Sequence, residues 1–282
     1  MSVFLAVAAS AAVSRDGGSA VEPVATPAAP AAVAAAPSAR SQPTPAAALR
    51  KVLATEPRVL AVGEFHQTRA TARVPSALKR FTNDMLPALC EAGATDLVVE
   101  TWLATGSCGE VEKQTVARVE KTTRRPAHTE NEVVTLLRRA KAAGMVSRIL
   151  QVGCEDYRAM TSGSQVDFDR LLRLTRDQLE AQIRAALARP GSRLVVSYGG
   201  ALHNDLAPSP ELLPYAFGPA VSSAVGGRYV ELDLYVPEFV EKDPSIRAQG
   251  WFQAYQRAYR RGRVTLVRRG ESSFALVFPR RR

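Results

Sequence analysis

Residues 58–66 read Arg58-Val59-Leu60-Ala61-Val62-Gly63-Glu64-Phe65-His66, an apolar run closed by a glycine, a carboxylate and an imidazole. The run RVLAV, Arg58 to Val62, has the length and β-branched content of a buried strand. Downstream, Pro75 to Glu91 sets Leu78, Phe81, Met85 and Leu89 at helical spacing and stops at Gly93, and Asp96 to Glu100 (DLVVE) is a second apolar run. Strand, helix, strand at this length is a βαβ unit, which is parallel and right-handed.

The alternation continues to the end of the chain. Thr129-Glu130-Asn131-Glu132 reads as a capping box ahead of Val133, Leu136, Leu137 and Ala140, the helix stops near Gly144, and Val146 to Gly153 returns as a strand. A long helix over Asp167 to Ala188 turns Phe168, Leu171, Leu172, Leu179, Ile183 and Leu187 inward, and Pro190-Gly191 leads into the strand Arg193 to Tyr198. A proline-punctuated helical stretch (Pro210 to Ala224), a strand (Arg228 to Val236) and a short helix (Trp251 to Tyr259) follow, and VTLVRR and SSFALVF form a hairpin turning at Gly270-Glu271. The expected fold is α/β: a layered fold with a mainly parallel central sheet flanked by helices and an antiparallel C-terminal hairpin at its edge.

Composition bounds the rest. The 282 residues, 46% hydrophobic and 23% charged, suffice for one α/β body, and 18 Gly with 18 Pro exclude collagen and coiled coil. The first fifty residues carry 18 Ala and 6 Pro with Phe4 as their only aromatic. They read as a disordered tether over 1–50, followed by a single α/β domain over 51–282. Within that tether Val3 to Val13 suits a secretory h-region but lacks a preceding basic residue; export to the periplasm or cell envelope is the expectation, a cytoplasmic chain the alternative. No transmembrane segment is expected. Net charge is +10, carried as pairs such as Arg124-Arg125, Arg138-Arg139 and Arg268-Arg269, which read as a solvated basic surface; no dedicated nucleic-acid binding is expected. Cys90, Cys108 and Cys154 lack metal spacing and allow at most one bridge.

In open parallel sheets chemistry sits at the carboxyl ends of strands. The first strand ends in Gly63-Glu64-Phe65-His66, the second in Glu100, the third in Gly153-Cys154-Glu155-Asp156, and the fourth in Tyr198-Gly199-Gly200-Ala201-Leu202-His203. In an extended segment Glu64 and His66 point to one side with Cβ atoms roughly 6 to 7 Å apart, close enough to share an ion or a water. Taken singly, each residue has a bland reading: His66 or His203 as a hydrogen-bonded structural histidine, Glu100 as a surface carboxylate, Glu155 and Asp156 as helix caps, the glycines as turn residues. Their convergence on one sheet edge is what argues a site. His128, in a basic loop, is read as structural.

The paired motifs GEFH (Gly63 to His66) and GALH (Gly200 to His203), with Glu100 between them, resemble the Tiki/TraB, ChaN-like and erythromycin-esterase-like superfamily over about residues 55 to 240. The resemblance implies an α/β fold with a site on those two loops. In the Tiki branch it implies metal-dependent peptide hydrolysis by His66, His203 and either Glu64 or Glu100; in the ChaN branch it implies haem binding, in the esterase branch macrolide-ring hydrolysis. The expectation is therefore a metal-dependent hydrolase of peptide or ester bonds, with Glu64, His66, Glu100 and His203 as catalytic and metal-binding residues around zinc, manganese or cobalt, and a small molecule or peptide as substrate. Two imidazoles and a carboxylate leave a fourth position for an activated water. A metal-free alternative has His66 or His203 as general base, oriented by Glu64 or Glu100. A non-enzymatic alternative is a haem- or metal-binding envelope protein.

Overall fold

The apolar runs become the strands of one sheet. The computed structural model describes residues 36–104, 108–160 and 166–280. Its strands are β1 (Ser38–Gln42), β2 (Val59–Glu64), β3 (Ala94–Ala104), β4 (Val146–Val152), β5 (Leu194–Gly200), β6 (Tyr229–Tyr235), β7 (Val264–Arg268) and β8 (Ser273–Val277). Its helices are α1 (Pro45–Leu53), α2 (Ala77–Asp84), α3 (Leu86–Glu91), α4 (Gly109–Thr123), α5 (Thr129–Ala142), α6 (Cys154–Met160), α7 (Phe168–Ala188), α8 (Gly218–Ala224), the single turns α9 (Pro237–Val240) and α10 (Pro244–Arg247), and α11 (Gly250–Ala258). The strands lie in the order β1-β7-β8-β6-β2-β5-β3-β4. From β8 to β4 every pairing is parallel; β7 is antiparallel to both β8 and β1.

Burial on both faces explains why β2, with all its residues buried, reads as an unbroken apolar run rather than an alternation. One face is covered by α1, α2, α3, α5 and α11 over Leu60, Val62, Val196 and Leu232, the other by α4, α6, α7 and α8 over Val59, Ala61, Val98 and Val195. In α7 the expected stripe Leu171, Leu172, Leu179 and Ile183 is buried, each such side chain stabilising by about 1.5–3 kcal/mol. Asp167 caps it, its carboxylate accepting from the Arg170 N–H.

Several expectations are corrected. The tether does not extend to residue 50: Ser38–Gln42 pairs with β7, and α1 begins at Pro45 with Ala48, Leu49 and Val52 buried. The secretory reading of Val3 to Val13 lies outside the described residues. Because β1 covers β7, the hairpin is not the sheet's outer edge. The helix over Pro75 to Glu91 is two helices, broken at Met85 (φ −121°), since Pro87 has no N–H to continue the ladder and its ring clashes with the turn before it. The capping box is not formed: His128 is the N-cap without a side-chain bond, and Glu132 instead accepts from Ser76 Oγ at 2.5 Å. The strand DLVVE runs on to Ala104 through an irregularity between Val99 and Trp102, so Glu100 lies within β3, where its pairing with β5 stops. The one disulfide, Cys108–Cys154, ties the segment after β3 to the start of α6, and Cys90 is free. Among the described residues no helix is long and apolar enough to cross a membrane.

Candidate active site

Strand periodicity turns Glu64 to the same face as Leu60 and Val62, and the register Val62↔Tyr198 sets the Tyr198 ring beside it. Both Glu64 oxygens are engaged: Oε1 accepts from His66 Nδ1 at 2.6 Å and Arg125 Nη1 at 3.0 Å, and Oε2 accepts from the Tyr198 hydroxyl at 2.5 Å. Burial would raise this carboxyl, but the His66 hydrogen bond and charge, then Arg125 and Tyr198, outweigh it and hold it down to about 2. Burial and the Glu64 charge push Tyr198 well above its ordinary value, so it remains a neutral donor. His66 Nδ1 is the ring nitrogen that faces Glu64 Oε1, and Arg125 Nη2 lies within hydrogen-bonding distance of the same atom, so Nε2 is the nitrogen turned away from the pair.

His66 Nε2 is buried and has no hydrogen-bond partner. It lies over Gly200: a Cβ built there would be 2.8 Å from Nε2 and 3.5 Å from Glu100 Oε2. The two atoms are therefore no more than 6.3 Å apart, the sum of those distances. One water donating a hydrogen bond of about 2.8 Å to each bridges a separation of about 4.5 Å, which lies within that limit. Glu100 is buried and accepts from the Gly200 N–H at 2.6 Å, an approach that requires glycine at 199, where a Cβ would be 2.5 Å from Oε2.

His203 is placed differently. It is buried, its Nδ1 donates to the Tyr215 carbonyl at 2.7 Å, and its own backbone bonds Gly200 and Phe217; no hydrogen bond or ion pair joins it to Glu64 or His66. It shapes the loop after β5. The next residue, Asn204, lies under Gly63 on the other face of the sheet, donating to Asp233 Oδ1 at 2.9 Å and the Ala61 carbonyl at 3.2 Å. Arg269 Nη1 reaches Asp233 at 2.7 Å and its second terminal nitrogen bonds Glu231. Burial and Asp233 push the Glu231 carboxyl up to about 8, against the pull of Arg269.

Among the described residues no group of three or more His, Cys, Asp and Glu side chains is arranged to hold a metal ion, so the expected set His66, His203, Glu64 and Glu100 is not gathered as a three-ligand centre. Asp156 takes the bland role, accepting from the Gly153 N–H at 3.0 Å at the start of α6.

Three participants escaped the sequence reading. Arg125 and Arg269 belong to pairs expected to be solvated, yet both are half-buried and paired with buried carboxylates. Tyr198 was legible only as a strand residue; its spacing, two before Gly200, was the available signal.

No family model matches the sequence, and no curated protein matches it. Among solved structures the chain is similar to RRSP, a MARTX toxin effector domain from Vibrio vulnificus CMCP6, at 18% identity and a TM-score of 0.33, over 54% of this chain and 30% of that one. A likeness at that level carries no argument about activity.

Proposed function

We propose that this chain is a hydrolase of peptide or ester bonds that works by general base catalysis, with His66 as the base. The observation that carries the reading is the buried, unpartnered His66 Nε2, facing Glu100 across Gly200, on a ring whose Nδ1 meets the Glu64 carboxylate; with the Nδ1 proton donated to that carboxylate, Nε2 is the acceptor. A water donates one hydrogen bond to Nε2 and the other to Glu100. As it attacks the substrate carbonyl, His66 takes its proton and then delivers it to the leaving oxygen or nitrogen, while Glu64 balances the transient imidazolium. Arg125 and Tyr198 keep Glu64 ionised and fixed. The GEFH and GALH resemblance supports the hydrolytic reading, and the Cys108–Cys154 disulfide supports export to an oxidising compartment.

The test uses the purified full chain with a peptide mixture and 4-nitrophenyl acetate, alongside elemental analysis and an absorption spectrum. His66→Ala and Glu64→Gln are expected to lose about 100-fold or more in turnover, His203→Ala to retain it per folded molecule, and chelator to have no effect. Stoichiometric zinc, manganese or cobalt with chelator-sensitive turnover would instead favour the metal-dependent reading. A Soret band without turnover would favour the haem-binding one.

A further inference from the structure

Residue 67 links the candidate site to a groove. The Gln67 amide donates to the carbonyls of Thr71 (2.8 Å) and Val74 (2.6 Å), which fixes its orientation, so its oxygen accepts from His128 Nε2 at 3.0 Å. Val74 and His128 are walls of an open groove of about 590 Å³ between α2 and α5. That volume lies in the range of small-molecule sites.

The groove carries an excess of positive charge. Arg73, Lys79 and Arg139 line it, against Glu132 as the only acid. Glu132 already accepts from Ser76 and stands 3.8 Å from His128, and burial raises its carboxyl. The Arg73 and Lys79 side chains are exposed and make no hydrogen bond or ion pair among the described residues; Arg139 bonds only the neutral Asn83, at 2.7 Å. The backbone adds to this charge. Ser76 pairs with Glu132 and Asn83 with Arg139, each partner advancing by seven, so α2 and α5 run parallel and their N-termini meet at the Gln67–His128 end. Their aligned dipoles favour negative charge there.

We propose that this groove is the substrate-selecting subsite of the hydrolase site, and that it binds an anionic oxygen group, carboxylate or phosphate, carried near the bond that is cut. This rests on the reading of His66 as the base. One wall, Ala72 to Asn83, belongs to the segment that follows His66, and Gln67, the residue next to His66, bonds the Val74 carbonyl and His128 on the two walls.

The experiment has a binding arm and a kinetic arm, both on the full chain. Inorganic phosphate is titrated calorimetrically into wild type, His66→Ala and the double variant Arg73→Ala/Lys79→Ala, whose exposed positions leave the core intact. The kinetic arm compares 4-nitrophenyl acetate with mono-4-nitrophenyl succinate, which shares the leaving group and adds a carboxylate. The double variant is expected to lose at least about tenfold in phosphate affinity or in KM for the succinate ester, with the acetate ester unaffected. A response of the phosphate arm alone assigns phosphate, of the succinate arm alone carboxylate. Equal behaviour of wild type and double variant in both arms overturns the groove while leaving His66 untouched. Wild-type turnover in His66→Ala with the phosphate loss intact in the double variant overturns the hydrolase reading and keeps the anion site.

Discussion

Replacing Gly200 by Ala puts a methyl group between His66 Nε2, the proposed base, and Glu100. Its carbon would stand 2.8 Å from His66 Nε2 and 3.5 Å from both His66 Cε1 and Glu100 Oε2. Carbon and nitrogen settle at about 3.5 Å, so the ring must retreat by roughly 0.7 Å. It retreats against its 2.6 Å hydrogen bond to Glu64, and the methyl takes the volume of the water proposed to bridge Nε2 and Glu100. A misplacement approaching 1 Å at the reacting atoms costs about 100-fold, and loss of the water adds to that. Stability should hardly change: only side-chain tips are displaced, and removing a glycine from the unfolded chain offsets part of the cost, about 0.4–1 kcal/mol. Gly63→Ala is the contrast. Its methyl would meet the Ala201 backbone at 2.7 Å and the buried Asn204 and Asp233 oxygens at 2.5 and 2.6 Å, none of which can withdraw without breaking the network under β2. It should destabilise by about 3 kcal/mol or more. Turnover of 4-nitrophenyl acetate and thermal unfolding of the two variants decide the matter. A Gly200→Ala protein with wild-type turnover refutes the role of Nε2, and a Gly63→Ala protein with wild-type stability refutes the packing under β2.

The Glu64 carboxyl lies at about 2 in the folded protein against an ordinary 4.5, so its stabilisation is complete above 4.5 and lost as pH falls toward 2. That difference corresponds to about 3 kcal/mol, which should appear as a steeper loss of denaturant midpoint between pH 5 and 2.5 in wild type than in Glu64→Gln; parallel curves contradict it. A chain begun at Val52 lacks β1 and the buried Ala48 and Leu49, and should melt at least about 5 °C below the full chain; an unchanged melting temperature would return the tether boundary to residue 50. The disulfide closes a loop with a sequence separation of 46, worth about 4 kcal/mol by chain entropy. The Cys108→Ser/Cys154→Ser protein should therefore melt about 10 °C lower, and reduction should do the same to wild type.

β2 and β5 were legible because each is buried on both faces and reads as an apolar run bounded by turn residues, and α7 because its leucines recur at the helical period. β1 was not legible: SARSQ has no apolar period, and it is a strand only because its backbone groups find those of β7, more than 220 residues away (Gln42↔Val264). Glu100 was placed at a strand end because the apolar run stops there, whereas β3 continues on the strength of its pairing with β4.

Within the site, local spacing determined that Glu64 and His66 share one side of the chain, since alternation along a strand needs no distant partner. It also determined that glycines precede both histidines and that Glu100 closes an apolar run. Only the tertiary structure decided the rest. The register Glu64↔Gly200 brings His66 over Gly200 and Glu100. Arg125, 61 residues from Glu64, is half-buried because its charge finds that carboxylate, and His203 turns to Tyr215 because the loop after β5 is pinned through Asn204 to β6. These are contacts between segments far apart in the chain, and the side chain's own chemistry does not specify which partner will be within 3 Å of it.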